Sequence, residues 1–424
     1  MPNNMLIRLA VALVGVLLCL VGIWRAGATG LSRLYSEYAL ATASLPPTEG
    51  AILLTPSDPE AHYARALLLQ DKGNLAEAVK EFERAVALRP HDYVYWYDLA
   101  LAKDNTEDGQ VAIAACEQAV RLAPYYGRPH WLLGNLYFRA GRREEAFTEL
   151  RRAASSDAEF LPGMIDLAWG AANGDPQIFL GFVQPETDAV RLTLAHYFAK
   201  KEHYSEAVAQ FRTAEAASED ERKKFLQVLL AAHQFKEAYE IWSLGHKENK
   251  GESLTGINTL TDPGFEGAIR LNEPGFGWQK PGAVENVRIS LDANNPRTGQ
   301  RSLLIEFNGN SNPGSPVILQ TVLVEPDTRY DLHFAARMEK LVTGGLPQIT
   351  VSEANGAGDL QFLTSAALSA ESASWGDYSI SFTTGKAAQV IIINVNRQSC
   401  SSSPCPAFGR VWLDDFALQK QAQQ

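Results

Sequence analysis

The chain is poor in the groups that enzymes and nucleic-acid binders usually need. Only four cysteines and eight histidines occur in 424 residues. It contains no GxSxG elbow, HExxH helix, phosphate-binding glycine loop or Cys/His metal cluster, so the usual signatures of nucleophilic, zinc-dependent and nucleotide-dependent chemistry are missing. The histidines, His91, His130 and His233 among them, read as helix-turn or surface positions without recurrent spacing. Asp414 and Asp415 are neighbours on a predicted strand, which turns their side chains to opposite faces and denies them the facing geometry of a glycosidase pair. The expectation is a non-enzyme. Lys and Arg never cluster, and the net charge is −11, which argues against nucleic acid as a partner.

What is present describes a globular chain of two or three domains, 46% hydrophobic and 21% charged. Leu9 to Trp24 is unbroken apolar sequence, with Trp24 and Arg25 placed as an interfacial anchor; roughly 20 such residues span a bilayer core. Two readings of residues 1–25 stand: a transmembrane anchor, or a signal peptide for which Ala26–Ala28 imitates a cleavage site. Cys19 follows Leu18 and lacks the small residue of a lipoprotein site. Arg8 faces Arg25 and Arg33, so charge leaves the orientation open. Cys400 and Cys405 close "CSSSPC" between two predicted strands, spacing that suits a disulfide and an oxidising compartment; the alternative is two free thiols in a cytosolic loop. The expected location is the inner membrane, single-pass, with the bulk of the chain periplasmic or otherwise extracytoplasmic.

A period of 34 residues organises the next segment. "PEAHYARALLLQDKGNLAEAVKEFERAVALRP" ends at Pro90, and "YVYWYDLALAKDNTEDGQVAIAACEQAVRLAP" ends at Pro124. Ala66, Ala100 and Gly134 share a slot, as do Ala78, Ala112 and Ala146, then Ala85, Ala119 and Ala153, then Phe82, Cys116 and Leu150. The pattern resembles the tetratricopeptide repeat, a pair of antiparallel helices, and implies an all-α solenoid over residues 31–247. Residues 31–57 keep a partial copy, and residues 160–187 keep a first helix without a recognisable second, leaving six or seven hairpins. The resemblance also implies a groove lined by first helices. Its positions fall on Tyr63, Leu67, Tyr97, Leu101, Trp131, Asn135, Phe138 and Arg139, a line suited to a peptide or partner helix, or else packed under neighbouring loops.

After the polar linker at 248–259, short alternating runs predict an antiparallel β-sandwich over 260–420. "DPGFE", "GFGW", "TGQRSLLIEF", "QTVLVEPDTRYDLHFAAR", "SWGDYSISFTT" and "VWLDDFAL" follow in an order that resembles carbohydrate-binding modules of the galactose-binding-like jelly roll. That resemblance implies a structural calcium ion near the entry segment. Glu266 with Asp414 or Asp415 would supply carboxylates, and backbone carbonyls near Gly264 and Gln300–Arg301 would complete the set; the alternative is an ion pair of Glu266 with Arg301 or Arg410. Strand alternation sets His333 and Arg337 opposite Phe334 and Ala336, and Asn394 and Asn396 opposite Ile391, Ile393 and Val395. These four polar residues are the candidate floor of a glycan site; Trp278, Trp375 and Trp412 are either its stacking rings or, as the resemblance implies, packed at the core edge. The expectation is therefore multidomain: an N-terminal transmembrane helix, a repeat solenoid and a jelly-roll sandwich. Such a chain would be an adaptor between a protein partner and an envelope polysaccharide. The rivals are a purely protein-binding scaffold with a structural sandwich and a glycan-processing subunit.

Overall fold

The computed structural model describes residues 2–106, 109–246, 256–269, 273–282, 284–355, 360–369, 374–401 and 403–421. Most of the expected linker lies outside them. The chain divides into two compact units, Met1–Gln184 and Pro185–Gln424.

The first unit is helical. Helix α1 (Pro2–Thr42) is followed by α2 (Pro46–Leu54), α3 (Pro59–Asp71), α4 (Leu75–Leu88), α5 (Tyr93–Asn105) and α6 (Gly109–Leu122). Then come α7 (Gly127–Arg139), α8 (Arg143–Ser156), α9 (Leu161–Ala171) and α10 (Pro176–Val183). No break separates the apolar N-terminal segment from the first hairpin: α1 runs through both as 41 residues, about 60 Å at 1.5 Å per residue. It is long and apolar enough to cross a membrane. Its leading apolar turns are exposed, whereas Ser32, Ser36 and Ala39 are buried, and Ser32 Oγ donates to Ala51 O at 3.2 Å.

Local chemistry starts the repeat helices. Asp58 and Asp92 accept from the amides of Glu60 and Val94, capping α3 and α5. Small residues let the helices of a pair approach: Ala66, Ala78, Ala85, Ala100, Ala112, Ala119, Ala146 and Ala153 are all fully buried. Gly134 fills the slot of Ala66 and Ala100 because a Cβ there would come within 2.7 Å of Leu150 Cγ. The segment that read as lacking a second helix holds a short one, the eight residues of α10. Phe179 of α10 is fully buried, and Phe182 stacks on Phe147 at 4.3 Å.

Two of the eight histidines, His62 and His130, do recur. His130 is 2% exposed. It stands 68 residues, two periods, after His62, and Glu149 stands 68 after Glu81. His62 Nδ1 meets Glu81 Oε2 at 2.7 Å and its Nε2 meets Pro56 O at 3.0 Å. His130 Nδ1 meets Glu149 Oε2 at 2.5 Å and its Nε2 meets Pro124 O at 2.9 Å. Both ring nitrogens face acceptors, so satisfying both requires the doubly protonated imidazolium. The carboxylate hydrogen bond raises both pKa values above 6.5, against the lowering effect of burial. In the intervening repeat Trp96 takes the histidine position, and its Nε1 donates to Pro90 O at 2.8 Å. Each ring thus ties a helix to the turn that precedes it.

The second unit begins with α11 (Asp188–Lys200), α12 (Tyr204–Thr213), α13 (Glu219–Ala231) and α14 (Phe235–Leu244), bringing the helical pairs among the described residues to seven. Its strands are β1 (Val287–Asp292), β2 (Ser302–Asn310), β3 (Ile318–Leu323), β4 (Arg329–Thr343), β5 (Pro347–Asn355), β6 (Leu360–Ala367), β7 (Gly376–Thr383), β8 (Ala388–Arg397) and β9 (Pro406–Lys420). They form two antiparallel sheets, ordered β1-β2-β9-β4-β7 and β3-β8-β5-β6. Leu303, Ile305, Leu332, Phe334 and Leu413 of the first sheet share one core with Ile318, Ile349, Val351, Ile391 and Ile393 of the second. Cys400 and Cys405 are disulfide-bonded, with Cα atoms 5.8 Å apart; Cys116 is a buried free thiol.

The sequence suggests a boundary after residue 247, but the last helical pair packs into the entry segment of the sheets. Trp242 is 2% exposed, stacked on His246 at 4.1 Å and edge-on to Phe276 at 5.9 Å. Arg222 Nη2 donates to Glu273 Oε1 at 3.0 Å, and both side chains are at least nine-tenths buried. Gly275, at φ +137°, has no room for a Cβ, which would overlap the Trp242 indole. The stretch "EPGFGW", residues 273–278, is therefore a socket for α14 as well as the lead-in to the first strand.

Candidate functional site

On the first unit, α5, α7 and the turns beside them enclose a cavity of about 450 Å³, lined by Tyr93, Tyr97, Asp98, Tyr126, Arg128, Asp157 and Phe160 among others. Tyr63, Tyr97 and Trp131 occupy one slot in successive repeats, and the structure places them differently. Tyr97 lines the cavity. Trp131 stacks on Phe160 at 5.2 Å, supporting the wall. Tyr63 stacks on Tyr95 at 4.5 Å and its hydroxyl donates to Asp98 Oδ2 at 2.5 Å. Burial holds the Asp98 carboxyl above its usual range, partly offset by that hydrogen bond, and burial likewise raises the Tyr97 hydroxyl.

The other expected groove positions do not line the cavity. Leu67, Leu101 and Phe138 pack on the helical core, Phe138 edge-on to Phe147 at 6.1 Å. Asn135 Nδ2 is turned back to Trp131 O at 2.8 Å. Arg139 pairs with Asp104 at 2.6 Å. Sequence reasoning missed the polar and turn residues of the cavity, namely Asp98, Arg128, Asp157 and the pair Tyr125–Tyr126, because only helix-A offsets were carried over. Tyr125 is 87% exposed, a signal that a tyrosine pair directly after the helix-ending Pro124 could have given.

The four-residue polar floor is not one surface. His333 and Arg337 lie on β4 and Asn394 and Asn396 on β8, strands of different sheets, so their outward faces are on opposite sides of the sandwich. Alternation along each strand gives the face but not the sheet. Arg337 is further engaged, its Nη1 donating to Asn295 Oδ1 at 2.6 Å and its guanidinium 5.0 Å from the Trp412 ring. Trp278 and Trp412 are buried and Trp375 is half-buried. Two exposed aromatics stand on the strands among the described residues, Phe408 of β9, 49% exposed, and a phenylalanine of β6, a strand the sequence reading missed. Phe362 is 61% exposed and pairs across from Ser352, itself across from Ile392. The next outward row is Ser365, Thr350 and Asn394, and beyond it lie Ala367, Gln348 and Asn396.

The expected calcium ligands come together around residues 297–301, but with the wrong polarity for a cation. Glu266 Oε1 accepts from the amides of Gln300 at 2.7 Å and Arg301 at 3.2 Å. The Arg301 guanidinium sits on Glu266 O. Asp414 Oδ2 accepts from Arg297 N at 2.9 Å, and Oδ1 from Asp415 N at 2.8 Å. Gly264 adjoins the Asp414 carboxylate. Asp414 and Asp415 do not diverge as strand neighbours should: Asp415 has φ +54°, at a register irregularity between β4 and β9. Both carboxylates consequently reach the same loop, Asp415 through Thr298 Oγ1 and Arg297 Nε. Glu266 Oε1 and the oxygens of Asp414 and Asp415 are thus engaged by donors of the 297–301 loop and its neighbours, and no group of three acidic, histidine or cysteine side chains suited to a metal occurs among the described residues. The residues do not fit calcium as arranged.

The comparisons with known proteins fall mainly on the helical part. Residues 49–93, 63–127 and 97–159 match the family model of the tetratricopeptide repeat. A TPR repeat-containing thioredoxin of Arabidopsis thaliana is 36% identical over 90 residues, 21% of this chain; the chain spans 13% of that relative's length. MamA of Desulfovibrio magneticus RS-1 is a structural match at 19% identity and TM-score 0.29, over 48% of this chain and 96% of that one. A CBM22-1 xylan-binding domain of Paenibacillus barcinonensis matches at 12% identity and TM-score 0.29, over 40% of this chain and 99% of that one. Between residues 49 and 159 this chain matches the tetratricopeptide-repeat family, in keeping with its successive pairs of helices.

Proposed function

We propose that the protein is a membrane-anchored, non-catalytic scaffold that holds a segment of a partner protein in the cavity beside Tyr97. The observation that carries this is the cavity itself, tyrosine-lined and open to solvent within the repeats. Aromatic rings with little conformational freedom are the groups that supply contact area to a bound chain at low entropic cost. The apolar turns of α1 would anchor the scaffold as a single-pass inner-membrane protein, with the Cys400–Cys405 disulfide on the oxidising, extracytoplasmic side. A photocrosslinker in place of Tyr126 is expected to trap a discrete partner, and Tyr97→Ala to abolish the adduct. Equal adducts from a crosslinker at an outward residue of the second unit would sink the proposal.

A second reading, contact of the same scaffold with an envelope polysaccharide, is favoured by one feature. The outer face of the four-stranded sheet sets the exposed ring of Phe362 beside Ser365 and Asn394, an apolar plane next to hydroxyl and amide partners. Sugars are bound by that combination. On affinity gels carrying bacterial polysaccharides, Phe362→Ala is expected to cut retention about tenfold, the loss of a stacking contact of ~1.4 kcal/mol. Unchanged retention would leave the sandwich as a buttress for α14.

A further inference from the structure

Asp98 is the one carboxylate of the tyrosine cavity carried on a helix wall, and its surroundings are unusual. It is partly buried on α5, and the hydrogen bond it accepts from the Tyr63 hydroxyl brings no positive charge. No ion pair reaches it among the described residues. Asp157, on the opposite lip, uses Oδ1 to cap the turn at Glu159 N, 3.0 Å away. Arg128 is the single cation in the lining, and it is exposed at the rim. Tyr93 and Tyr126 stand with ring centroids 5.1 Å apart beside the same opening.

We propose that the cavity selects a basic segment of the partner protein, with a lysine or arginine side chain entering between the tyrosines to meet Asp98. This rests on the reading of the cavity as the partner site and specifies the partner's chemistry. Three candidate occupants differ in what they do to Asp98. A neutral segment would cover an unpaired carboxylate and strip its remaining water, which is unfavourable. An acidic segment would add like-charge repulsion with Asp98 and Asp157. A cationic side chain supplies the missing counter-charge to Asp98 and lies against aromatic faces, which attract cations. Charge complementarity therefore chooses the basic segment.

The test uses the full chain in detergent on an array of short random-sequence peptides scored by lysine and arginine content. The expected result is that bound peptides are enriched in lysine or arginine. Asp98→Asn should weaken them at least about tenfold, roughly 1.4 kcal/mol, while Arg128→Ala should tighten them. Asparagine keeps the shape and the acceptor for Tyr63, so unchanged thermal melting of Asp98→Asn separates lost charge from lost fold. Peptides that are neutral or acidic, lost in Tyr97→Ala but indifferent to Asp98→Asn, would overturn the basic-segment inference and leave the cavity as a partner site. If no binding depends on Tyr97, both fail together.

Discussion

Glu149→Gln is expected to lower the stability of the first unit by about 3 kcal/mol, the scale for removing one partner of a buried charged pair, and to lower Tm by roughly 6–10 °C. Glutamine can still accept from His130 Nδ1, but it brings no charge, so the ring reverts toward the neutral form with one N–H. The neutral ring can keep its Nε2–H on Pro124 O and accept the glutamine amide N–H at Nδ1, so what is lost is the attraction between the two charges and not the hydrogen bonds. The wild-type chain should also carry a pH signature. Both His62 and His130 have folded pKa values above 6.5, their unfolded value. Below that value both states are protonated and the pairs contribute fully. As pH rises past it the unfolded state sheds its proton first, and the contribution declines until it is gone above the folded value. Stability of the first unit should therefore fall as pH rises from about 6.5 through the raised histidine pKa values. The groups around each ring fix the sign: Glu81 and Glu149 raise the histidines, while Arg84 and Arg152 oppose them. Glu149→Gln should remove part of the slope and Glu81→Gln/Glu149→Gln nearly all of it, read by thermal melts across pH. A flat wild-type profile would mean that folding leaves the histidine pKa values unchanged, and a stability that rises with pH would mean that the rings are neutral when folded.

The second large effect concerns the joint between helices and sheets. Glu273→Gln should cost the second unit about 3 kcal/mol, because it leaves the Arg222 guanidinium buried without a carboxylate. Arg222 Nη1 already lacks a hydrogen-bond partner, so the site has little reserve. The paired replacement Arg222→Met/Glu273→Met should recover most of the loss, since an apolar pair of similar volume avoids desolvating either charge. Calorimetry of the three variants decides it: if the double variant is as unstable as Glu273→Gln, the electrostatic origin is wrong and packing around Trp242 is the determinant.

The helical class was legible because the repeat states it three times over: small residues 34 apart can only be close crossings of successive hairpins. Where the statement is faint, legibility ends. "PQIFLGFV" is apolar on every side and carries no small-residue slot, so α10 left no periodic trace. The His–Glu ties recur at 68 and not at 34, because Trp96 does the intermediate job, and a search at one period passes over them. In the sheets, alternation sorted inward from outward residues correctly at Phe334 and Ile393. It could not say that His333 and Asn394 belong to different sheets, because pairing partners are distant in sequence. Local backbone defeated alternation at Asp415, whose left-handed φ turns its carboxylate to the side of Asp414. Arg222 and Glu273 lie 51 residues apart across a polar linker, and nothing in either neighbourhood advertises the other.

The unbroken course of α1 has a rotational consequence. Each residue of an α-helix advances the side chains by about 100°, and α1 carries no hinge between its exposed apolar turns and the buried Ser32 and Ser36. Whatever surface grips those apolar turns thereby sets the compass bearing of the first hairpin, and of the tyrosine cavity carried in the same unit. A single residue inserted between the two halves would swing that bearing by more than a right angle without altering any repeat. The helix works as a keyed shaft, whereas a flexible tether would leave the direction of approach open.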